Sequence, residues 1–277
     1  MSAVTASARE EVDESVTQWV KFCSFLPNPA KGGEVVHQDG VVIACSRTVW
    51  PMGNLAVLSD AVQSSSDLAR KIKIVHNFFS ARLCAGVFFT PENLIGSVRS
   101  EAPNIFAEQG YVPMMTMLGM ATDALVVPKR SLPVLEFRAV SDAESRRILW
   151  ELNAIAYEVP LEWGHDSDER TDIWSHSAFG IIGYLNDRPA ACAVTVPIDG
   201  RLYMALVATA HQFRNLGCAE AVMRRSLADA ARATGLTRTV LHASPMGRPL
   251  YSQMGYRDTL PFDVYVQAAK NSAGRER

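Results

Sequence analysis

Six residues, Arg214-Asn215-Leu216-Gly217-Cys218-Ala219, stand between the apolar run YMALVAT (203–209) and a helix-forming stretch, AEAVMRRSLADAARATG (219–235). Their types and order suit the binding of phosphate. The first turn of a helix leaves backbone N–H groups without partners at the positive end of the helix dipole. A small turn lets a pyrophosphate approach those groups, and a glycine removes the Cβ at the tightest point. Ala219 keeps the next inward position small, and Arg214 adds a permanent positive charge. The same residues also suit an ordinary strand-to-helix turn in which Gly217 supplies only backbone freedom, and short glycine motifs of this kind recur by chance.

Such a turn acts only if a strand delivers it and a helix leaves it. The residues around it read accordingly. VLEFRAV (134–140) alternates as a strand does, and SDAESRRILWELNAIAYEVP (141–160) is an amphipathic helix with Ser141 or Asp142 as its N-cap and Glu144 in its first turn. LEWGHDSDERTDIW (161–174) is polar, irregular or one short helix. AFGIIGYLN (178–186) and PAACAVTVPI (189–198) are strands joined by a tight turn at Asp187-Arg188, and Ile198–Tyr203 turns again into the strand before the cradle. TRTVLHAS (237–244) reads as a buried strand, MGRPLYSQMGY (246–256) as a short helix ending at Gly255, and RDTLPFDVYV (257–266) as a last strand. The fold class is α+β, a mixed sheet flanked by helices.

The first half follows a similar but weaker pattern. The spacing predicts a helix over 11–26 after a frayed tail at 1–10, strands over 40–50 and 55–60, a helix over 64–84 and a strand over 85–90. One or two short helices follow in 91–111, and 113–127 is extended. PKRSLP (128–133) is the natural linker, with two prolines and two basic residues between apolar segments. We therefore expect an N-terminal unit at 1–130, a second at 134–266 and a disordered tail at 267–277. A chain of 277 residues is long enough for two cores.

Composition excludes several classes. The formal net charge of −2 and pI near 6.3 offer no basic surface for nucleic acid or anionic lipid. Cys23, Cys45, Cys84, Cys192 and Cys218 are scattered in apolar contexts, without zinc-ligand spacing, as reduced buried thiols would be. The N-terminus lacks the apolar core of a secretory signal, and no apolar run reaches membrane-spanning length. The expectation is a cytoplasmic protein, with no metal, nucleic-acid or membrane partner.

The motif Arg214-x-x-Gly217-x-Ala219, with Leu250-Tyr251 and Gly255-Tyr256 a helix and a strand further on, resembles the GNAT superfamily of acyl-CoA-dependent N-acyltransferases over roughly 134–266. The resemblance implies acetyl-CoA as co-substrate. Its pantetheine arm would lie along the backbone of Leu206, Val207, Ala208 and Thr209, where two strands splay after a bulge. Its pyrophosphate would sit on Arg214, Asn215, Leu216, Gly217, Cys218 and Ala219. Tyr251 matches the tyrosine that protonates the departing thiolate in many members; a purely packing tyrosine is the alternative. Ser244 replaces an asparagine that many members place against the cofactor. The strand RLYMALVA lacks the carboxylate that often serves as base, which leaves His242, equally readable as a buried neutral histidine. By the same analogy Glu158, Glu162, Trp163, His165 and Asp166 border the acceptor, an alternative being a solvated acidic loop.

The FAEQGY segment (106–111) echoes YSQMGY, so the first half reads as a degenerate GNAT-like copy. SSSDLARKI (64–72) there has no glycine, and Asp67 would repel phosphate, which leaves one cofactor site, in the second half. WPMGN (50–54) is a candidate wall of the acceptor pocket or simply an apolar turn. The function implied is acetyl transfer to a primary amine of a small molecule. An inactive acyl-CoA sensor and a protein-acetylating enzyme are the alternatives, while a Rossmann nucleotide site is disfavoured because the motif follows an antiparallel meander.

Overall fold

In the computed structural model, which describes residues 8–268, the chain opens with helix α1 (Ala8–Ser24). A hairpin follows, β1 (Glu34–Gln38) and β2 (Val41–Cys45), then β3 (Asn54–Leu58), α2 (Ser65–Ala81), β4 (Val87–Pro91), α3 (Glu92–Ile95), α4 (Ala102–Glu108) and β5 (Tyr111–Thr122). The second half runs β6 (Glu136–Ala139), α5 (Ala143–Ala156), α6 (Leu161–Arg170), β7 (Phe179–Leu185), β8 (Arg188–Ile198), β9 (Arg201–Thr209), α7 (Cys218–Thr234), β10 (Thr239–Ala243), α8 (Arg248–Gln253) and β11 (Arg257–Gln267).

The local signals explain most boundaries. Asp142 caps α5 by accepting from the Ser145 N–H at 2.8 Å, and the Ser145 hydroxyl reaches back toward the Asp142 N–H. Three readings need correction. The strand β1 is additional to those expected, because EVVHQ is a mostly polar edge strand with little apolar signal. The β7–β8 turn is Asn186-Asp187, both left-handed with φ of +51° and +59°, and Arg188 already belongs to β8. Helix α1 begins at Ala8, inside the stretch expected to fray. The remainder of that stretch, residues 1–7, lies outside the described residues, as do 269–277 of the expected tail, whose first residue, Gln267, instead ends β11 paired with Tyr111.

All eleven strands join one sheet in the order β1-β2-β3-β4-β11-β5-β10-β9-β8-β7-β6. The two halves repeat one topology. Helix α2 crosses between the parallel strands β3 and β4, as α7 crosses between the parallel strands β9 and β10. Helices α4 and α8 both end at a left-handed glycine followed by a tyrosine, Gly110-Tyr111 and Gly255-Tyr256, with φ of +77° and +101°. Each half then sends its last strand into the other: β11 pairs antiparallel with β4, β5 pairs antiparallel with β10, and β5 and β11 pair with each other. The linker at 128–133 falls between β5 and β6, and the sheet continues across it.

Helix α1 belongs to this shared structure. Phe22 stacks on Tyr203 of β9 with ring centroids 4.6 Å apart, and Gln18 donates to the Ile198 carbonyl of β8 at 3.0 Å. Tyr203 lies opposite Val196, on the same face of β8 as Cys192, which touches Asn153 of α5; Thr195, on the other face, bonds Ser226 of α7 at 2.6 Å. Thus α1 and α5 cover one face of the second half and α7 the other. An ion network fastens α1 to the strand ends. Arg238 bonds Glu11 at 3.0 Å and Asp123 at 2.6 Å and also pairs with Glu14, Arg201 reaches Glu14, and Arg257 reaches Glu11 and Asp123. Among the described residues no helix is long and apolar enough to cross a membrane.

Candidate active site

A cavity of about 750 Å³ opens where β9 and β10 part. The two strands pair in parallel at Leu202, Tyr203 and Met204 opposite Thr239, Val240 and Leu241, and the pairing stops there. The cause lies in β9. Its register against β8 shifts between Cys192 and Val194, which places one extra residue in β9, and Leu206 takes up a left-handed φ of +49°. A bulge of this kind bends its strand and increases the local twist. The Leu206 carbonyl turns to the Cys192 thiol at 3.5 Å. Leu206, Val207, Ala208 and Thr209 beyond the bulge all line the cavity.

The far wall is the start of α7. Gly217 is its N-cap, at φ +88°, and no side chain caps the first turn. The equivalent helix of the first half is closed: the Ser64 hydroxyl accepts from the Asp67 N–H at 3.1 Å, and Asp67 brings a negative charge to the same turn. Only the second helix therefore presents its free N–H groups to a cavity. Arg214, Asn215, Gly217, Cys218 and Ala219 line it. The Leu216 side chain does not; it is exposed. Arg214 is anchored by donation to the Ala156 carbonyl at 3.0 Å and His211 bonds the Ile155 carbonyl at 2.9 Å, so two basic residues fix the turn to the negative end of α5.

Tyr251 and His242 sit on the remaining sides. Tyr251 is buried, and burial first, then Tyr157 and Tyr256, push its phenol pKa upward, so it stays protonated through the neutral range. Its ring rests on Gly247, where a Cβ would lie 2.8 Å from Cε2 and 3.1 Å from the hydroxyl. Ser244 lines the cavity, and its hydroxyl accepts from the Gly247 N–H at 3.3 Å, so it also holds the turn that delivers Tyr251. His242 has both ring nitrogens engaged, Nδ1 with the Tyr203 hydroxyl at 3.0 Å and Nε2 with the Ser15 hydroxyl at 3.2 Å. Trp19 and Phe262 pack on its ring, and burial pushes its pKa down to about 3. This is the neutral, hydrogen-bonded histidine that the sequence left as an equal alternative to a base.

Glu158, Glu162 and Trp163 are not brought into the cavity. Glu158 lies 3.7 Å from His211 at the surface, Glu162 is exposed on α6, and Trp163 packs against the core. His165 bonds Glu151 at 2.8 Å, and Asp166 accepts from the Val49 N–H at 2.7 Å and from Arg170. Tyr157, next to the expected acids, does line the cavity, and its ring meets Trp50 of the WPMGN segment edge-on at 5.7 Å. Met117 of β5 also lines the cavity, which brings the first half to its wall. Lys129 and Arg130 of the linker complete it. Their basic pair was visible in the sequence, but only the fold carries it to the cradle. Among the described residues no three His, Cys, Asp or Glu side chains converge as a metal site.

Comparison with known proteins agrees with this geometry. The family model described as "Acetyltransferase (GNAT) family" matches residues 146–256. A GCN5-related N-acetyltransferase from Kribbella flavida superposes with a TM-score of 0.67 at 16% identity, over 98% of this chain and 99% of its own. A functionally unknown conserved protein from Staphylococcus epidermidis gives 0.62 at 13% identity, over 87% of this chain and 96% of its own. A tandem GNAT protein from the clavulanic acid biosynthesis pathway gives 0.50 at 9% identity, over 94% of this chain and 96% of its own. At these identities the likeness establishes a shared fold. No curated protein matches the chain.

Proposed function

We propose that the protein, whose residues 146–256 match the GNAT acetyltransferase family model, transfers an acetyl group from acetyl-CoA to a primary amine of a small molecule. The observation that supports this most is the convergence on one cavity of an uncapped helix start, a splayed strand pair and a buried tyrosine.

In this reading the α7 N–H groups and Arg214 hold the pyrophosphate. The backbone of Leu206–Thr209, released from β10 by the bulge, pairs with the amide-bearing arm as a neighbouring strand would. Acetyl-CoA supplies a thioester whose acyl carbon accepts the amine while the thiolate departs. Tyr251 donates a hydrogen bond to that sulfur. Its raised pKa lies above the ~8.5 of a thiol, so the phenol stabilises the departing thiolate chiefly by a hydrogen bond and keeps most of its proton. His242, with a pKa near 3 and both nitrogens occupied, is a weak base for an ammonium and orders Tyr203 and Ser15 instead. The amine then loses its proton to water, and turnover follows the ionisation of the amine itself.

That weak base is also the observation that favours a second reading, an acyl-CoA sensor without turnover. Calorimetry with acetyl-CoA followed by release of free CoA thiol from a panel of amines separates the two. An enzyme binds acetyl-CoA and releases thiol only when an amine is present. A sensor binds and releases none. Absence of binding overturns both readings.

A further inference from the structure

The linker does more than join the halves. Val126 N–H donates to the Met254 carbonyl at 3.0 Å, and the Val126 carbonyl accepts from Arg224 of α7 at 2.6 Å. Four residues later, Arg130 Nη1 donates to the Asn215 carbonyl at 3.0 Å. Leu132 and Pro133 then lie against Gly217: a Cβ there would stand 3.2 Å from Pro133 Cδ and 3.6 Å from Arg130 Nη2. The segment between β5 and β6 is thus a strap across the start of α7, held at both ends and in the middle. Its two cations, Lys129 and Arg130, are exposed and line the cavity mouth. The Arg130 charge is felt at the Cys218 thiol: burial raises the thiol pKa and Arg130 opposes the rise.

The charge at this end of the cavity exceeds what a pyrophosphate needs. Arg214, Lys129 and Arg130 line the cavity as cations, and its only carboxylate among the described lining residues, Glu220, is paired with Arg224 at 2.8 Å. Resting on the acetyl-CoA reading above, we propose that Lys129 and Arg130 recognise the 3′-phosphate of the coenzyme's ribose and set the preference for a 3′-phosphorylated thioester over its dephospho form. Arg130 holds the Asn215 carbonyl through Nη1, which leaves Nη2 beside Gly217 to meet a phosphate oxygen. Lys129 adds a mobile point charge. Neither residue belongs to the matched domain at 146–256. The preference therefore depends on a segment that exists only because two halves are joined.

The test compares acetyl-CoA with 3′-dephospho-acetyl-CoA by calorimetry, on the wild type and on Lys129→Ala, Arg130→Gln and the double variant. Glutamine keeps a donor for the Asn215 carbonyl, and thermal melts report whether each variant is folded. The wild type is expected to prefer the phosphorylated form by roughly tenfold or more, as charge-assisted contacts to a dianion allow. The double variant should lose that preference and bind the dephospho form as the wild type does. Equal binding of both forms by the wild type overturns the proposal and leaves the acyltransferase reading intact. So does an equal loss for both forms in the variants, which would make the strap a clamp only. A wild type that binds neither form overturns the acyltransferase reading and this proposal together.

Discussion

Helix α7 has a left-handed glycine at each end, Gly217 at φ +88° and Gly235 at φ +75°, and the pair allows a matched experiment. Alanine at either position carries the same backbone cost, about 1–2 kcal/mol for a left-handed L-residue. For a chain of this size that lowers Tm by roughly 2–8 °C. The surroundings differ. A Cβ at Gly235 meets open space, whereas a Cβ at Gly217 stands 3.2 Å from Pro133 Cδ and must displace the strap. The displaced strap carries the Arg130 bond to the Asn215 carbonyl, and with it the aim of the first N–H groups of α7. Loss of one charge-assisted hydrogen bond to a phosphate costs about 1.5–3 kcal/mol, which is roughly 10- to 150-fold in Kd. Gly217→Ala and Gly235→Ala should therefore melt alike within a few degrees, yet only Gly217→Ala should lose acetyl-CoA affinity by that factor. Calorimetry at a temperature where both are folded measures it. Wild-type affinity in both variants would refute the cradle, and equal losses in both would show that a general loosening of α7 is responsible.

Tyr251→Phe should lower kcat by roughly 10²-fold with little change in acetyl-CoA affinity. Gly247→Ala should lower kcat similarly, because its Cβ would meet the Tyr251 ring at 2.8 Å; full activity in either variant removes Tyr251 from the reaction. His242 is held neutral in the fold, with a pKa near 3 against about 6.5 when unfolded. The unfolded chain alone takes up this proton between those values, so the contribution is present above pH 6.5 and declines as pH falls toward 3. Denaturant melts of His242→Gln should show a flatter loss of stability across that window, and its kcat profile should keep the shape of the wild type. In the α1 network, burial raises the Glu11, Glu14 and Asp123 carboxyls, but hydrogen bonds and charge from Arg257, Arg238 and Arg201 outweigh it and their pKa values fall below normal. That stability is present above their unfolded values and is lost as pH falls through the lowered folded ones, and Trp19 fluorescence should report α1 leaving the sheet. Arg238→Ala leaves buried Glu11 and half-buried Glu14 with fewer partners and should cost roughly 3 kcal/mol at neutral pH, by chemical denaturation.

Much of the second half was legible because its signals are local. The capping aspartate at 142, the apolar runs of β7 and β8, the small turn before α7 and the Gly-Tyr end of α8 each act within a few residues. The cradle residues Arg214, Gly217 and Ala219 are legible in that turn, the strand positions 206–209 follow only from the family resemblance, and all of them line one cavity. The edge strand β1 is not legible in the sequence because it buries too little apolar surface to show a pattern. The acids Glu158 and Glu162 follow only from the family resemblance, and the turn at the end of α5 puts Tyr157 at the cavity while both acids stay at the surface.

The sequence by itself determined the order of the elements other than β1, the uncapped start of α7 and the glycine that keeps it open, since these depend on propensities, caps and backbone freedom within one turn or strand. Tertiary structure alone decided that β11 and β5 cross between the halves, that α1 seals His242 with Ser15 and Trp19, and that Lys129 and Arg130 reach the cradle. These are contacts between residues tens to hundreds of positions apart. They are selected by which sheet edges remain unpaired and which faces remain uncovered once the local elements have formed.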